Sequence, residues 1–147
     1  MSIIDNPFPQ YLGSGDPALK DYYPEWVNHI ADDATVEGSM LNGAVQGADA
    51  VRSIVLTIRS LYEHQEFKFA GPYSDNEFIE HYIAKVNGEP IGCVVLIARN
   101  AAGQTQHVVA SYPPFNSVVV FARVLREKFA GTPIWGSYRT RLSSMAR

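Results

Sequence analysis

Three strand-like stretches, joined by two short turns, dominate the second half of the chain. Residues 76–86 (NEFIEHYIAKV) read with period two, the signature of a strand with one buried face; 89–99 (EPIGCVVLIAR) is an apolar return strand and 104–112 (QTQHVVASY) a third strand. Asn87-Gly88 separates the first two, and both residues accept the positive φ of a tight hairpin. A second turn at Asn100–Gly103 separates the last two. Three consecutive strands with such short links make an antiparallel meander, which needs a packed layer over one face to be stable. Two further strands are expected at residues 34–40, from the alternation in ATVEGSM, and at residues 65–73, where Phe67 and Phe69 fall on one face.

The covering layer is also in the sequence. Val51, Ile54, Val55, Ile58, Leu61 and Tyr62 make one apolar stripe and predict a helix over residues 49–62. Leu19, Tyr23, Trp26, Val27 and Ile30 recur at spacings of three and four, and Pro24 splits this stretch into two short helices. Val118, Ala122, Leu125 and Phe129 predict a C-terminal helix, with Asn116 as N-cap, a Phe115–Val120 staple and Gly131 with Pro133 as its end. Helices first, one strand, a helix and then a meander is an α+β order. Residues 1–15 are expected to be an N-terminal arm, 16–135 a single domain and 136–147 a tail.

With 147 residues the chain can bury a core without crosslinks. Twelve Lys and Arg against fifteen Asp and Glu leave a net charge of −3, without the basic patch that nucleic acid requires. The short cluster of Arg139, Arg141 and Arg147 reads as a solvated tail. No apolar run approaches the roughly 18 residues of a membrane span, and the first ten residues lack the pattern of a signal peptide. The lone Cys93, inside an apolar strand, reads as a buried inert thiol, and the expected location is the cytoplasm. His29, His64, His81 and His107 are scattered, so no metal site is expected. The chain has no phosphate-binding glycine loop and no Gly-x-Ser-x-Gly elbow, and no cofactor is expected. Asp32 and Asp33 read as backbone caps between two elements, and Glu37 as exposed or paired with a charge.

The stretch ADDATVEG (residues 31–38), followed by a glycine and an AVR helix start, resembles the nuclear transport factor 2-like superfamily, which includes ketosteroid isomerases and SnoaL-like cyclases. The resemblance runs from about Trp26 to Tyr112, and Tyr112-Pro113-Pro114-Phe115 resembles the ending of SnoaL-like members. It implies a cone: a curved, mainly antiparallel sheet wrapped around helices and enclosing an apolar cavity. It also implies a homodimer formed through the outer face of the sheet. Ketosteroid isomerases use an Asp base with an oxyanion hole of a Tyr and a protonated Asp. The base position here is Gly38 and the oxyanion Asp position is Val95, while Tyr22 and Tyr23 lie near the oxyanion Tyr without aligning to it. The isomerase chemistry is therefore expected to be absent.

Strand parity combined with this resemblance turns Glu80 and Tyr82 into the cone with Ala84 and Val86, and turns Ile79, His81, Ile83, Val94, Leu96, His107 and Val109 outward. Glu80 and Tyr82 are the candidate catalytic pair, because an inward carboxylate is rare unless paired or functional. The candidate pocket is Tyr23, Trp26, Met40, Ile54, Ile58, Tyr82, Val95, Ile97, Val108 and Tyr112, a set that would serve as well for plain core filling. The expected partner is a small apolar or aromatic molecule, turned over by acid–base chemistry. A non-catalytic dimeric module and an accessory subunit of a larger enzyme remain the alternatives.

Overall fold

The structure, a computed structural model, describes residues 14–134. The expected tail at 136–147, with its three arginines, and most of the expected N-terminal arm lie outside the described residues. Two single-turn 3-10 helices, Pro17–Leu19 and Glu25–Asn28, lead into strand β1 (Ile30–Gly38). A two-residue strand β2 (Val45–Gln46), helix α1 (Ala48–Ser60), strands β3 (His64–Pro72), β4 (Glu77–Val86), β5 (Glu89–Arg99) and β6 (Thr105–Ser111), and helix α2 (Phe115–Lys128) follow. The six strands form one sheet in the order β2-β1-β6-β5-β4-β3. All neighbours are antiparallel except β1 and β6, which run parallel.

The meander forms where the alternation placed it. Asn87 and Gly88 take φ of 50° and 77° in the β4–β5 turn. At the β5–β6 turn the Asn100 side chain accepts from the Ala102 and Gln104 amides, both at 3.0 Å. Irregular pairing bends the sheet. Phe67 pairs with Tyr82 but Phe69 pairs with His81, so Lys68 is an extra residue in β3. That bulge overturns the expected common face: Phe67 is buried, whereas Phe69 is on the other side, 49% exposed.

β1 carries a larger irregularity, between Ile30 and Thr35. The strand starts four residues earlier than expected, so Asp32 and Asp33 are exposed strand residues and not caps. Asp33 instead accepts from Gln106 of β6, Nε2 to Oδ1, at 3.0 Å. At its far end β1 runs so close to β6 that a Cβ on Gly38 would lie 2.3 Å from the Ala110 carbonyl oxygen. That oxygen already accepts the Ser39 amide at 3.0 Å. The missing side chain at position 38 is a packing requirement; a base there could not be held without parting the two strands.

The core lies between the concave face of the sheet and α1, whose Val51 and Ile54 are completely buried. Helix α2 closes one end. It begins two residues earlier than expected, with Pro114 at the N-cap. Asn116 therefore lies inside the helix, and Phe115 is 78% exposed and staples nothing. The buried face is Ser117, Phe121 and Leu125, continued by Phe129, while Val118 and Ala122 flank it. Ser117 Oγ donates to the Pro90 carbonyl at 2.6 Å. The Phe121 ring packs edge-on to Tyr112 at 5.7 Å and against Tyr62 at 6.1 Å. Among the described residues no helix is long and apolar enough to cross a membrane.

Candidate functional site

The concave surface encloses an inner chamber of about 60 Å³. Its walls come from the second short helix (Trp26), β1 (Val36), α1 (Ile54, Ile58) and the meander (Val95, Val108). Against this apolar lining stand two polar groups: the Glu80 carboxyl near the entry segment, and a set of phenols toward α2.

Glu80 is only 3% exposed. Tyr22 donates its hydroxyl to Glu80 Oε2 at 2.5 Å. Burial raises the Glu80 pKa, and the Tyr22 hydroxyl, the neighbouring Trp26 indole and the Arg59 charge each pull it back in part. The Tyr22 phenol is itself pushed up, by burial first and then by its bond to Glu80. Trp26 Nε1 is fully buried; it makes no hydrogen bond of standard geometry among the described residues, but it lies close enough to the Glu80 carboxyl to stabilise its charged form.

The phenols form the second group. The Tyr62 and Tyr82 hydroxyls are 2.5 Å apart, and their rings meet edge-on at 5.5 Å. Tyr112 and the thiol of Cys93 lie beside them, Cys93 pairing across the strands with Tyr82. Burial pushes the Cys93 thiol up to about 12 and raises the three phenols well above their usual range. At neutral pH all four are protonated, so this end of the chamber supplies hydrogen bonds and no charge.

Of the residues expected in the pocket, Trp26, Ile54, Ile58, Tyr82, Val95, Val108 and Tyr112 line the chamber, together with Glu80. Three do not. Met40 and Ile97 are buried in the surrounding core. Tyr23 is 42% exposed, with the Arg59 guanidinium 4.8 Å from its ring centre. The reason is local: the entry segment winds as single 3-10 turns, so α-helical spacing misassigns its faces. Tyr22, not Tyr23, reaches inward. Phe67, Gln65 and Arg59 were missed because a bulge and a helix end place them at the wall. On the outer face His107 sits between Thr35 Oγ1, which contacts Nδ1, and Glu37, whose Oε1 is 3.2 Å from Nε2. Among the described residues no three potential metal ligands converge.

No protein-family model and no curated protein matches the sequence. Solved structures do. A steroid Δ-isomerase from Pseudomonas aeruginosa superposes with a TM-score of 0.66 at 14% identity, over 73% of this chain and 79% of that one. An uncharacterised cystatin-like-fold protein from Silicibacter pomeroyi gives 0.68 at 16% identity, over 87% and 86%. A nuclear transport factor 2-like protein of unknown function from Burkholderia xenovorans gives 0.52 at 18% identity, over 60% and 69%. The chain thus has the nuclear transport factor 2-like cone fold, an α+β architecture with a curved mixed sheet.

The raised Glu80 pKa fixes the sign of a pH effect. The folded protein holds this proton to higher pH than the unfolded chain does. Glu80 therefore costs stability progressively as pH rises from the ordinary carboxylate value of 4.5 through its raised folded value, and costs nothing below that window. Glu80→Gln, which still accepts the Tyr22 hydroxyl, should melt about 2–4 °C above the wild type at pH 8. The two should melt together near pH 3.5. Thermal unfolding of both proteins across this range checks it; an equal or lower melting point for the variant at pH 8 contradicts the assignment.

Proposed function

We propose that the cone binds a small apolar or aromatic molecule, and that Glu80 acts on it as a general acid or base. The observation that supports this most is the Glu80 carboxyl itself: buried, raised in pKa, and facing an apolar chamber beside the Trp26 indole. A carboxyl with a raised pKa exchanges its proton closer to the working pH, as an acid–base catalyst needs. The Trp26 indole supports the charged form of Glu80, and Tyr82 fixes the opposite end through its bond to Tyr62. The named isomerase among the structural relatives supports chemistry of this class only by fold. Its particular reaction does not carry over to Gly38 and Val95.

The test is a screen of small aromatic ketones and phenols by ligand-detected NMR. Glu80→Gln and Tyr82→Phe should each weaken the best binder by about three- to tenfold, the range of one hydrogen bond, with the sheet intact by circular dichroism. Unchanged affinity in both variants would contradict a polar handle. It would favour a non-catalytic module, which the small size of the chamber and its aromatic packing also suit.

A homodimer formed through the outer face belongs to this proposal. Phe69 and Val94 are 49% and 39% exposed there, with Ile79, Leu96 and Val109 half-buried around them. Ile83, expected on the same open face, is already buried. Helix α2 packs toward Tyr62 and Tyr112 and so leaves the face to a second copy. An apolar surface of this kind is seldom left in water. Sedimentation equilibrium should give twice the chain mass at micromolar concentration, with Val94→Lys shifting it to the monomer; a monomeric wild type would refute the arrangement.

A further inference from the structure

A second cavity, of about 660 Å³, lies between the first short helix and β3. It shares Arg59, Gln65 and Phe67 with the inner chamber, so the two cavities share a wall. The Tyr22–Glu80 hydrogen bond crosses that partition, because Tyr22 lines the outer cavity and Glu80 the inner one. The inner chamber alone is smaller than the roughly 300–1,000 Å³ of small-molecule sites, and the outer cavity falls within that range.

The charges on the outer wall are unevenly satisfied. Asp16 Oδ1 accepts the Ala18 amide at 2.9 Å. Glu66 accepts the Gly15 amide at 3.0 Å on one oxygen and His64 Nε2 at 2.7 Å on the other. Both carboxylates in the wall are thus engaged. The two cations are less so. Among the described residues the side chains of Arg59 and Lys20 make no hydrogen bond and no ion pair within bonding distance, and Arg59 acts on the Glu80 carboxyl only at longer range. Arg59 is half-buried and held over the Tyr23 ring, its fork unused at the junction of the two cavities. A partly desolvated guanidinium with no carboxylate in hydrogen-bonding contact is a site for one, since its planar donors match both oxygens.

We propose that the two cavities form one site for a small amphiphilic carboxylate, its apolar end in the inner chamber and its anion on Arg59. This rests on the reading that the chamber takes a ligand, and deepens it by naming the class. The apolar end approaches Trp26, Glu80 and Tyr82, where the chemistry would occur. The carboxylate stays at the mouth, where Lys20 adds a second positive charge and water is near.

The experiment uses a matched pair, 2-naphthoate and 2-acetylnaphthalene, which share a ring system and differ in the charge of the side group. Calorimetry at low ionic strength is run on the wild type, Arg59→Gln and Arg59→Lys. The wild type should bind 2-naphthoate about tenfold or more tightly than the ketone, the scale of one charge-assisted hydrogen-bonded contact. Arg59→Gln should abolish that preference by weakening 2-naphthoate far more than the ketone; Arg59→Lys should keep part of it. The preference should also shrink at high salt. Equal binding of the two compounds by the wild type overturns the proposal and leaves the chamber reading standing. A preference that survives Arg59→Gln overturns the role of Arg59 likewise. Failure of both compounds to bind overturns the carboxylate site and the chamber reading together.

Discussion

One row of residues, set by strand register, runs straight across the sheet. Gly38 of β1 pairs with Ala110 of β6, Ala110 with Val95 of β5, Val95 with Glu80 of β4, and Glu80 with Ala70 of β3. Directly paired residues share a face. The row therefore presents one ionisable group to the chamber, with small or branched neighbours on either side. In the ketosteroid isomerases that the sequence resembles, acids stand at the positions matching Gly38 and Val95. Here those positions are filled by a close backbone approach and by core packing, and the single carboxyl stands one strand over.

A lone carboxyl in an apolar cone needs support from elsewhere in the fold. The entry segment provides it. Two 3-10 turns bring Tyr22 onto Glu80 and set the Trp26 indole next to it. The same turns put Tyr23 outside, where its ring carries Arg59. The Tyr22 ring is fixed by Phe67, edge-on at 4.7 Å; Phe67 faces inward with its partner Tyr82, and the extra Lys68 turns Phe69 away. Two aromatic rings thus connect β3 to the carboxyl. At the other end of the chamber the Tyr62–Tyr82 bond joins the end of α1 to β4, so the ionisable group and the neutral phenols are held apart by the sheet itself.

The meander and the main helix were legible in the sequence because their periods are long and their turn chemistry is specific. Asn87-Gly88 set one turn, and period two along β4 put Glu80 and Tyr82 on the chamber side. What was not legible follows from local departures in period. The bulge at Lys68 separates Phe67 from Phe69, and the irregular start of β1 turns Asp32 and Asp33 from caps into exposed strand residues. The 3-10 turns exchange Tyr23 for Tyr22. Pro114, not Asn116, caps α2, which rotates its buried face toward Phe121. Each of these is decided by tertiary packing that a periodicity argument does not contain. The steric reason for Gly38 was equally invisible, since it depends on where the Ala110 carbonyl falls.

The account turns on Glu80 being a buried carboxyl facing the chamber, held by Tyr22. The most direct measurement is a carboxyl-carbon NMR titration of Glu80 in the wild type and in Tyr22→Phe. The account predicts a Glu80 pKa above the ordinary value of 4.5 in the wild type. It predicts a further rise in Tyr22→Phe, because the lost hydroxyl stabilises the charged form. A wild-type pKa at or below the ordinary value, or one that does not move when Tyr22 loses its hydroxyl, would contradict it.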